Sequence, residues 1–283
     1  MNYTTLYHLI FVVKIKNNMR VCILGNGLSS LTLAKSLVNQ KISVDVLYSK
    51  KKYLVNKSRT IGISKSNVKF FNDKIINIEK IIYKLNKIEI YSDNLEKQKL
   101  INFGNNNEHL FSIVKNYNLQ EILEKNLYRS KYFRKINYKK KLNYFKDYDL
   151  VFNTDYNNPI TKKYFNKKIE KKYNSVAYTT ILEHERILNN VAVQIFTKNG
   201  PLAFLPVSDC ETSVVYSINN YLKSEIKIND LIKNYNPKYN LKKINKIESF
   251  ELKGLSLRSY FHKNILAFGD LLHRIHPLAG TGF

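Results

Sequence analysis

Cysteine is nearly absent. The chain of 283 residues carries two, Cys22 and Cys210, too few for a disulfide framework or a metal-ligand cluster, so a reducing, cytoplasmic setting is expected and no metal site is nominated. No apolar run approaches the ~20 residues that a membrane-spanning helix needs. Leu6 to Val13 is apolar but short, without a basic flank before it or a small-residue cleavage site after it, which argues against a signal peptide. Residues 1–18 are read as an extension outside the fold, with Met19 directly before the first strand. No internal repeat and no linker rich in Gly or Ser divides the chain.

Acidic residues are scarce too, 22 against 47 basic, for a formal charge of +25. Such an excess raises the question of nucleic acid or an anionic membrane. Arginine, however, supplies only seven of the cations, and lysine, Asn, Ile and Tyr abound, which reads as a bias spread over the surface. No nucleic-acid partner is expected, whereas weak attraction to an acidic membrane follows from the charge whatever its origin. Lys131 to Lys146 interleaves Tyr and Phe with cations, a pattern that can serve single-stranded nucleic acid; here it reads as a solvated strand pair. Hydrophobic content of 44% is that of a globular protein, and the length suits one large or two ordinary domains.

Two stretches carry chemistry. Arg20 to Leu47 reads as an apolar strand, a glycine turn, a helix beginning near Leu28 and a second strand ending near Tyr48. Gly25 permits the tight turn, Gly27 lets backbone amides approach a pyrophosphate, and the helix offers its positive N-terminal end. The third glycine of the dinucleotide fingerprint is replaced by Ser30, small enough for close helix–strand packing. Tyr48 stands where an acidic residue ordinarily binds ribose hydroxyls, and could stack or offer one hydroxyl.

The other stretch is terminal. Ile265 to Phe268 reads as a buried strand that stops at Gly269-Asp270, placing a carboxylate at a strand's carboxyl end, where ligands of open α/β sheets bind. Pro277, Gly280 and Gly282 then describe a stiff turn and closely approachable backbone. Gly-Asp is also a common turn, and His273 and His276 could be ordinary surface or core histidines.

Between them, Arg59 suggests a planar, permanently charged fork for a phosphate, with a plain surface arginine as the alternative. Lys87 to Tyr91 alternates as a half-buried strand, and Phe111 to Leu127 is predicted to be one helix carrying Ile113, Ile122 and Leu123 toward a core. Tyr148 to Asp155 is another apolar strand ending in a carboxylate. Tyr173 to Ile218 reads as antiparallel sheet, with strands at Asn190–Phe196, Gly200–Pro206 and Ser213–Ile218. Lys223 to Lys246 has helical and polar character.

Taken in order, Gly25-x-Gly27-x-x-Ser30, Arg59, Asp155, Gly200-Pro-Leu-Ala-x-Leu-Pro206 and Gly269-Asp270-x-x-His273-x-x-His276-Pro-x-Ala-Gly-x-Gly282 resemble the class A flavoprotein aromatic hydroxylases. Within these, the chain looks most like the ubiquinone-biosynthesis hydroxylases of the UbiH/UbiF type. The resemblance implies an α/β fold with a Rossmann-like FAD-binding domain of the glutathione-reductase type and an antiparallel β-sheet substrate domain. It assigns 19–66, 110–160 and 258–283 to the first and 67–109 and 161–257 to the second.

It also implies an enzyme, an FAD-dependent monooxygenase using NAD(P)H and dioxygen to hydroxylate a polyprenylated phenol. Gly25, Gly27 and Ser30 would face the diphosphate, Arg59 would lie along the cofactor, Asp155 would serve FAD and the nicotinamide, Gly269 and Asp270 would reach the ribityl chain, and Pro277, Gly280 and Gly282 would pass beside the ring. No catalytic acid, base or nucleophile is named, since the flavin carries the difficult chemistry. A biosynthetic complex and peripheral contact with the inner face of the cytoplasmic membrane are further expectations. Three departures stand out: Tyr156 and Pro159 replace the family's glycine and serine after Asp155, Thr281 replaces glutamine, and Phe283 falls where the family continues into a long helix, giving the expectation of a C-terminally truncated chain. The alternatives are a related flavoprotein acting on a small aromatic or reducing an isoprenoid, and an inactive FAD-binding fragment.

Overall fold

The computed structural model describes residues 19–48, 57–93, 99–104, 109–137, 145, 147–219 and 227–274. The chain runs β1 (Arg20–Leu24), α1 (Leu28–Asn39), β2 (Ser43–Tyr48), β3 (Thr60–Ser64), α2 (Lys65–Phe70), β4 (Ile82–Leu85), β5 (Lys87–Ser92), β6 (Lys99–Phe103), β7 (Phe111–Lys115), α3 (Asn116–Leu127), β8 (Phe133–Asn137) and β9 (Leu150–Asn153). It continues through α4 (Pro159–Tyr164), β10 (Lys168–His184), β11 (Val191–Thr197), β12 (Gly200–Pro206), β13 (Glu211–Asn219), α5 (Ile228–Asn234), β14 (Leu241–Ile244), β15 (Glu248–Leu257), β16 (Phe261–His262), β17 (Ile265–Ala267), a 3-10 turn at Gly269–Leu271 and β18 (His273–Arg274).

These strands make three sheets. The first has the order β16-β17-β9-β1-β2-β8 and is parallel throughout except for the terminal β16–β17 hairpin. Its inner strands β1, β2, β9 and β17 are largely apolar because both their faces are covered, as a parallel sheet requires. Val21, Ile23, Val44 and Val46 pack with Leu31 and Leu37 of α1 and Leu119, Leu123 and Leu127 of α3. On the opposite face Cys22, Leu24, Leu47 and Val151 pack with Phe145, Ile160 and Phe165. The second sheet has nine strands, β18-β15-β10-β13-β12-β11-β5-β6 with β14 joined to β10, antiparallel apart from the β11–β5 pair. The third is small, β3-β7-β4. A mixed α/β architecture with parallel and antiparallel sheets is thus what the sequence implied.

Several local expectations need correction. Phe111 to Leu127 is not one helix: Phe111–Lys115 is the central strand of the small sheet, and the helix starts at Asn116. The aromatic and β-branched Phe-Ser-Ile-Val run suits a strand, so Ile113 is buried from β7, while the helix buries Leu119, Leu123 and Leu127, four residues apart. Of the strand pair expected over Lys131 to Lys146, Phe133–Asn137 is a parallel edge strand beside β2, and 138–144 and 146 lie outside the described residues. Of 223–246, residues 227–246 are described, and among these only Ile228–Asn234 is helical while Leu241–Ile244 is a strand.

Of segment 67–109, Val68, Phe71, Ile75 and Ile78 pack in the core beneath the parallel sheet. β4 joins the small sheet, while β5 and β6 join the nine-stranded one. Pro159, where the resembled family has serine, is the first residue of α4, capped by the Asn158 side chain accepting from the Ile160 amide. Proline fits there because its missing N–H would have no helical partner.

Candidate functional site

The parallel sheet fixes where a ligand can sit. β1 leads through α1 to β2 on one side, while β9 and β17 lie on the other. The direction of strand order therefore reverses between β1 and β9, and their carboxyl ends border a crevice. Three turns leave the sheet there, at Gly25 after β1, Thr154 after β9 and Gly269 after β17.

The first turn is clamped on both sides. The Gly25 amide donates to the Leu47 carbonyl at 2.9 Å, and the Thr154 amide donates to that of Leu24 at 2.9 Å. Gly25 has φ of 113°, and a Cβ there would lie 2.4 Å from Thr154 Oγ1, so both backbone and space demand glycine. Gly27 differs: it is the N-cap of α1, no side chain caps the helix, and a Cβ on it would meet nothing within 4 Å. The first-turn amides, which have no partner within the helix, thus open onto space at the positive end of the dipole.

Ser30 proves to be more than a small residue in the third glycine position. Thr154 Oγ1 donates to the Leu24 carbonyl at 2.9 Å, so Ser30, at 2.7 Å from Thr154 Oγ1 and fully buried, is the donor in that pair. The serine ties α1 to the turn after β9. Asn153 performs the next link, also fully buried: its amide nitrogen donates to Thr161 at 2.7 Å, its side-chain oxygen accepts from the Asp155 amide at 3.1 Å, and its carbonyl accepts from the Phe268 amide at 2.9 Å. The Asp155 carboxylate accepts from the Asn157 amide at 2.9 Å and so shapes its own loop.

Gly269 completes the site. It has φ of 63°, and a Cβ on it would stand 2.9 Å from the Cβ of Ser29 in the first turn of α1. Two stretches separated by more than two hundred residues are therefore in van der Waals contact. Asp270 follows at the surface. Burial lowers the pKa of the Arg59 guanidinium, the charge of Asp270 opposes that, Arg274 adds to it and Glu248 opposes it, and the net direction is down. Arg59 lies over the Phe250 ring at 4.3 Å, bridging the small sheet and the nine-stranded one, and its carbonyl accepts from the Asn116 amide at 3.0 Å. The ring of Tyr48 sits under Lys135 Nζ at 5.1 Å.

Gly25, Gly27, Ser30, Asp155, Gly269 and Asp270 thus gather at one end of one sheet, with Arg59 near enough to feel the charge of Asp270. Pro277, Gly280, Gly282 and His276 lie outside the described residues. His273 is exposed and pairs with Ser256 of the nine-stranded sheet. Sequence reasoning missed Thr154, Asn153, Phe250 and Asn116. Asn116 bears a buried side-chain oxygen with no hydrogen-bond partner in the structure, as does the Thr32 hydroxyl of α1. The signal for Asn116 was a strand-to-helix junction, hidden by reading both elements as one helix.

A group with a diphosphate and a polar chain fits these donors. Uncapped amides offer hydrogen bonds to an anion, Arg59 adds a cation, Asp270 offers acceptors to hydroxyls, and Gly27 leaves room for close approach. Among the described residues no cluster of His, Cys, Asp and Glu could hold a metal ion, and no helix is long and apolar enough to cross a membrane.

No protein-family model matches the chain, and no curated protein matches it. Solved structures do. PqsL from Pseudomonas aeruginosa, described as a probable FAD-dependent monooxygenase, superposes with a TM-score of 0.74 at 13% identity over 94% of this chain and 82% of its own. The p-nitrophenol 4-monooxygenase PnpA from Pseudomonas putida gives 0.74 at 10% identity over 94% and 75%. A variant of HpxO from Klebsiella pneumoniae, complexed with FAD, gives 0.71 at 13% identity over 94% and 77%. At these identities the likeness establishes the fold, which is that of these monooxygenases.

Proposed function

We propose that this chain binds FAD in the crevice between β1 and β9 and is an FAD-dependent monooxygenase acting on an aromatic ring. The observation that carries the reading is the contact of Gly269 with Ser29, which brings the glycine turn and the Gly-Asp turn to one place while the face of Gly27 stays open. The fold shared with PqsL, PnpA and FAD-bound HpxO supports the same reading.

FAD, when bound, supplies the redox chemistry, taking a hydride from NAD(P)H and reacting with dioxygen. The residues of this chain do the rest. The amides of the first turn of α1 hold the diphosphate, Arg59 contributes a fixed positive charge, and Asp270 accepts from the ribityl hydroxyls. Phe250 keeps the Arg59 guanidinium against the nine-stranded sheet, whose face covers the substrate and excludes water. For the substrate class we propose a lipophilic phenol, resting on the Gly-Asp and Gly-Pro-Leu-Ala-x-Leu-Pro blocks of the UbiH/UbiF type.

Titrating the purified chain with FAD and following the quenching of flavin fluorescence tests the cofactor reading. Saturable binding is expected, and its absence overturns the reading. Substrate-dependent NAD(P)H oxidation and oxygen uptake across prenylated phenols and small aromatic acids then tests the substrate class. Turnover confined to the small acids would refute the lipophilic assignment.

A further inference from the structure

A second surface lies away from this crevice, at the β16 edge of the parallel sheet. β16 is the outermost strand there, and two adjacent exposed aromatics mark it: Phe261 in the strand at 68% and Tyr260 directly before it at 47%. On its inner face His262 stacks on Tyr164 of α4, with ring centroids 4.1 Å apart, and Lys163 Nζ lies 5.1 Å over that tyrosine. The Arg258 amide donates to the Lys167 carbonyl at 2.9 Å, which joins the two segments.

Segments 157–168 and 258–268 contain no acidic residue. Lys162, Lys163, Lys167, Arg258 and Lys263 are all exposed, and none forms an ion pair with another described residue, although the chain has acids elsewhere that do so with Lys87, Lys99 and Lys135. Lys168, by contrast, is paired with Glu170 at 2.7 Å; large exposed aromatics on segments whose other cations form no such pair mark an interaction surface. A second copy of the chain would bring the same cations against these and is repelled. Single-stranded nucleic acid is held in grooves with stacking platforms, whereas this is the edge of a sheet.

We propose that the β16 edge docks the protein on an anionic lipid surface, with Tyr260 and Phe261 entering the headgroup layer and the surrounding lysines and Arg258 meeting acidic headgroups. Aromatic and basic side chains side by side are what such an interface favours. The proposal does not depend on the cofactor reading.

Flotation of the full chain with phosphatidylcholine vesicles, with and without phosphatidylglycerol, tests it. Binding is expected only to the anionic vesicles and should fall about tenfold or more in Lys162→Glu/Lys163→Glu and in Tyr260→Ser/Phe261→Ser, each checked for an unchanged thermal transition. A charge-matched control, Lys233→Glu/Lys242→Glu on α5 and β14, should keep most of the binding. Equal losses in control and patch variants would show that diffuse charge alone is responsible and overturn the proposal. So would equal binding to neutral vesicles, no binding by the wild-type chain, or patch variants that bind as it does.

Discussion

Asp45 lies within the parallel sheet and Asp270 in the turn that leaves it after β17, and their surroundings could hardly differ more. Asp45 lies mid-strand in β2, 5% exposed, gripped by the Arg134 fork at 2.7 Å through both oxygens and by the Tyr148 hydroxyl at 2.7 Å, with Arg20 at 3.5 Å. Asp270 stands at a strand's carboxyl end, exposed, with no hydrogen bond to another described residue. A carboxylate whose acceptor sites are already taken is a structural element. One left open beside uncapped amides and a cation is placed for a ligand. The same contrast separates Gly25, whose missing side chain makes room for Thr154, from Gly27, whose missing side chain makes room for nothing in the protein.

Breaking the filled half of this comparison should cost stability. Arg134→Ala leaves the buried Asp45 with weaker partners and is expected to lower unfolding free energy by about 2–3 kcal/mol, read from urea denaturation. Gly25→Ala forces a side chain into a positive-φ position and against Thr154, for a loss of roughly 2 kcal/mol. The open half should behave otherwise. Gly27→Ala and Asp270→Ala are expected to leave the urea midpoint nearly unchanged, yet Asp270→Ala should weaken FAD binding roughly tenfold to hundredfold.

Acid sharpens the contrast further. Burial by itself would raise the Asp45 carboxyl, but the hydrogen bonds of Arg134 and Tyr148 and the charges of Arg134 and Arg20 outweigh it and hold the pKa below the ordinary 3.8. A depressed folded pKa contributes stability that is present above the unfolded value and lost as pH falls through the folded one. Unfolding followed between neutral pH and strong acid should therefore show a loss in that limb that Arg134→Ala reduces. The smallest effect concerns thiols. Burial, with Asp45 adding to it, pushes the Cys22 thiol far up, while Cys210 is exposed, so the native chain should react with one equivalent of a thiol reagent and the unfolded chain with two.

Much of this was legible in the sequence. The apolar runs of β1 and β17 and the glycine turn between β1 and α1 are local signals, and local signals determine such elements. The union of the two stretches depends on Gly269 touching Ser29, a long-range contact that residue spacing does not encode. Ser30 was visible as small but not as a donor, because its partner Thr154 lies on another strand. Phe111 to Lys115 runs without a break into the helix at Asn116, so its local strand signal was merged with the helix, and pairing with β3 and β4, distant in sequence, is what separates the two. Asp45 drew no notice, since an acid inside an apolar strand betrays its role only through Arg134 and Tyr148.

The most direct measurement is FAD affinity for the wild-type chain, Gly27→Val and Asp270→Ala, alongside the urea midpoint of each. The expected result is saturable binding by the wild type and a marked loss in both variants with folding intact. Wild-type protein that binds no flavin, or variants that bind it as tightly as the wild type, would contradict a cofactor crevice at the carboxyl ends of β1, β9 and β17.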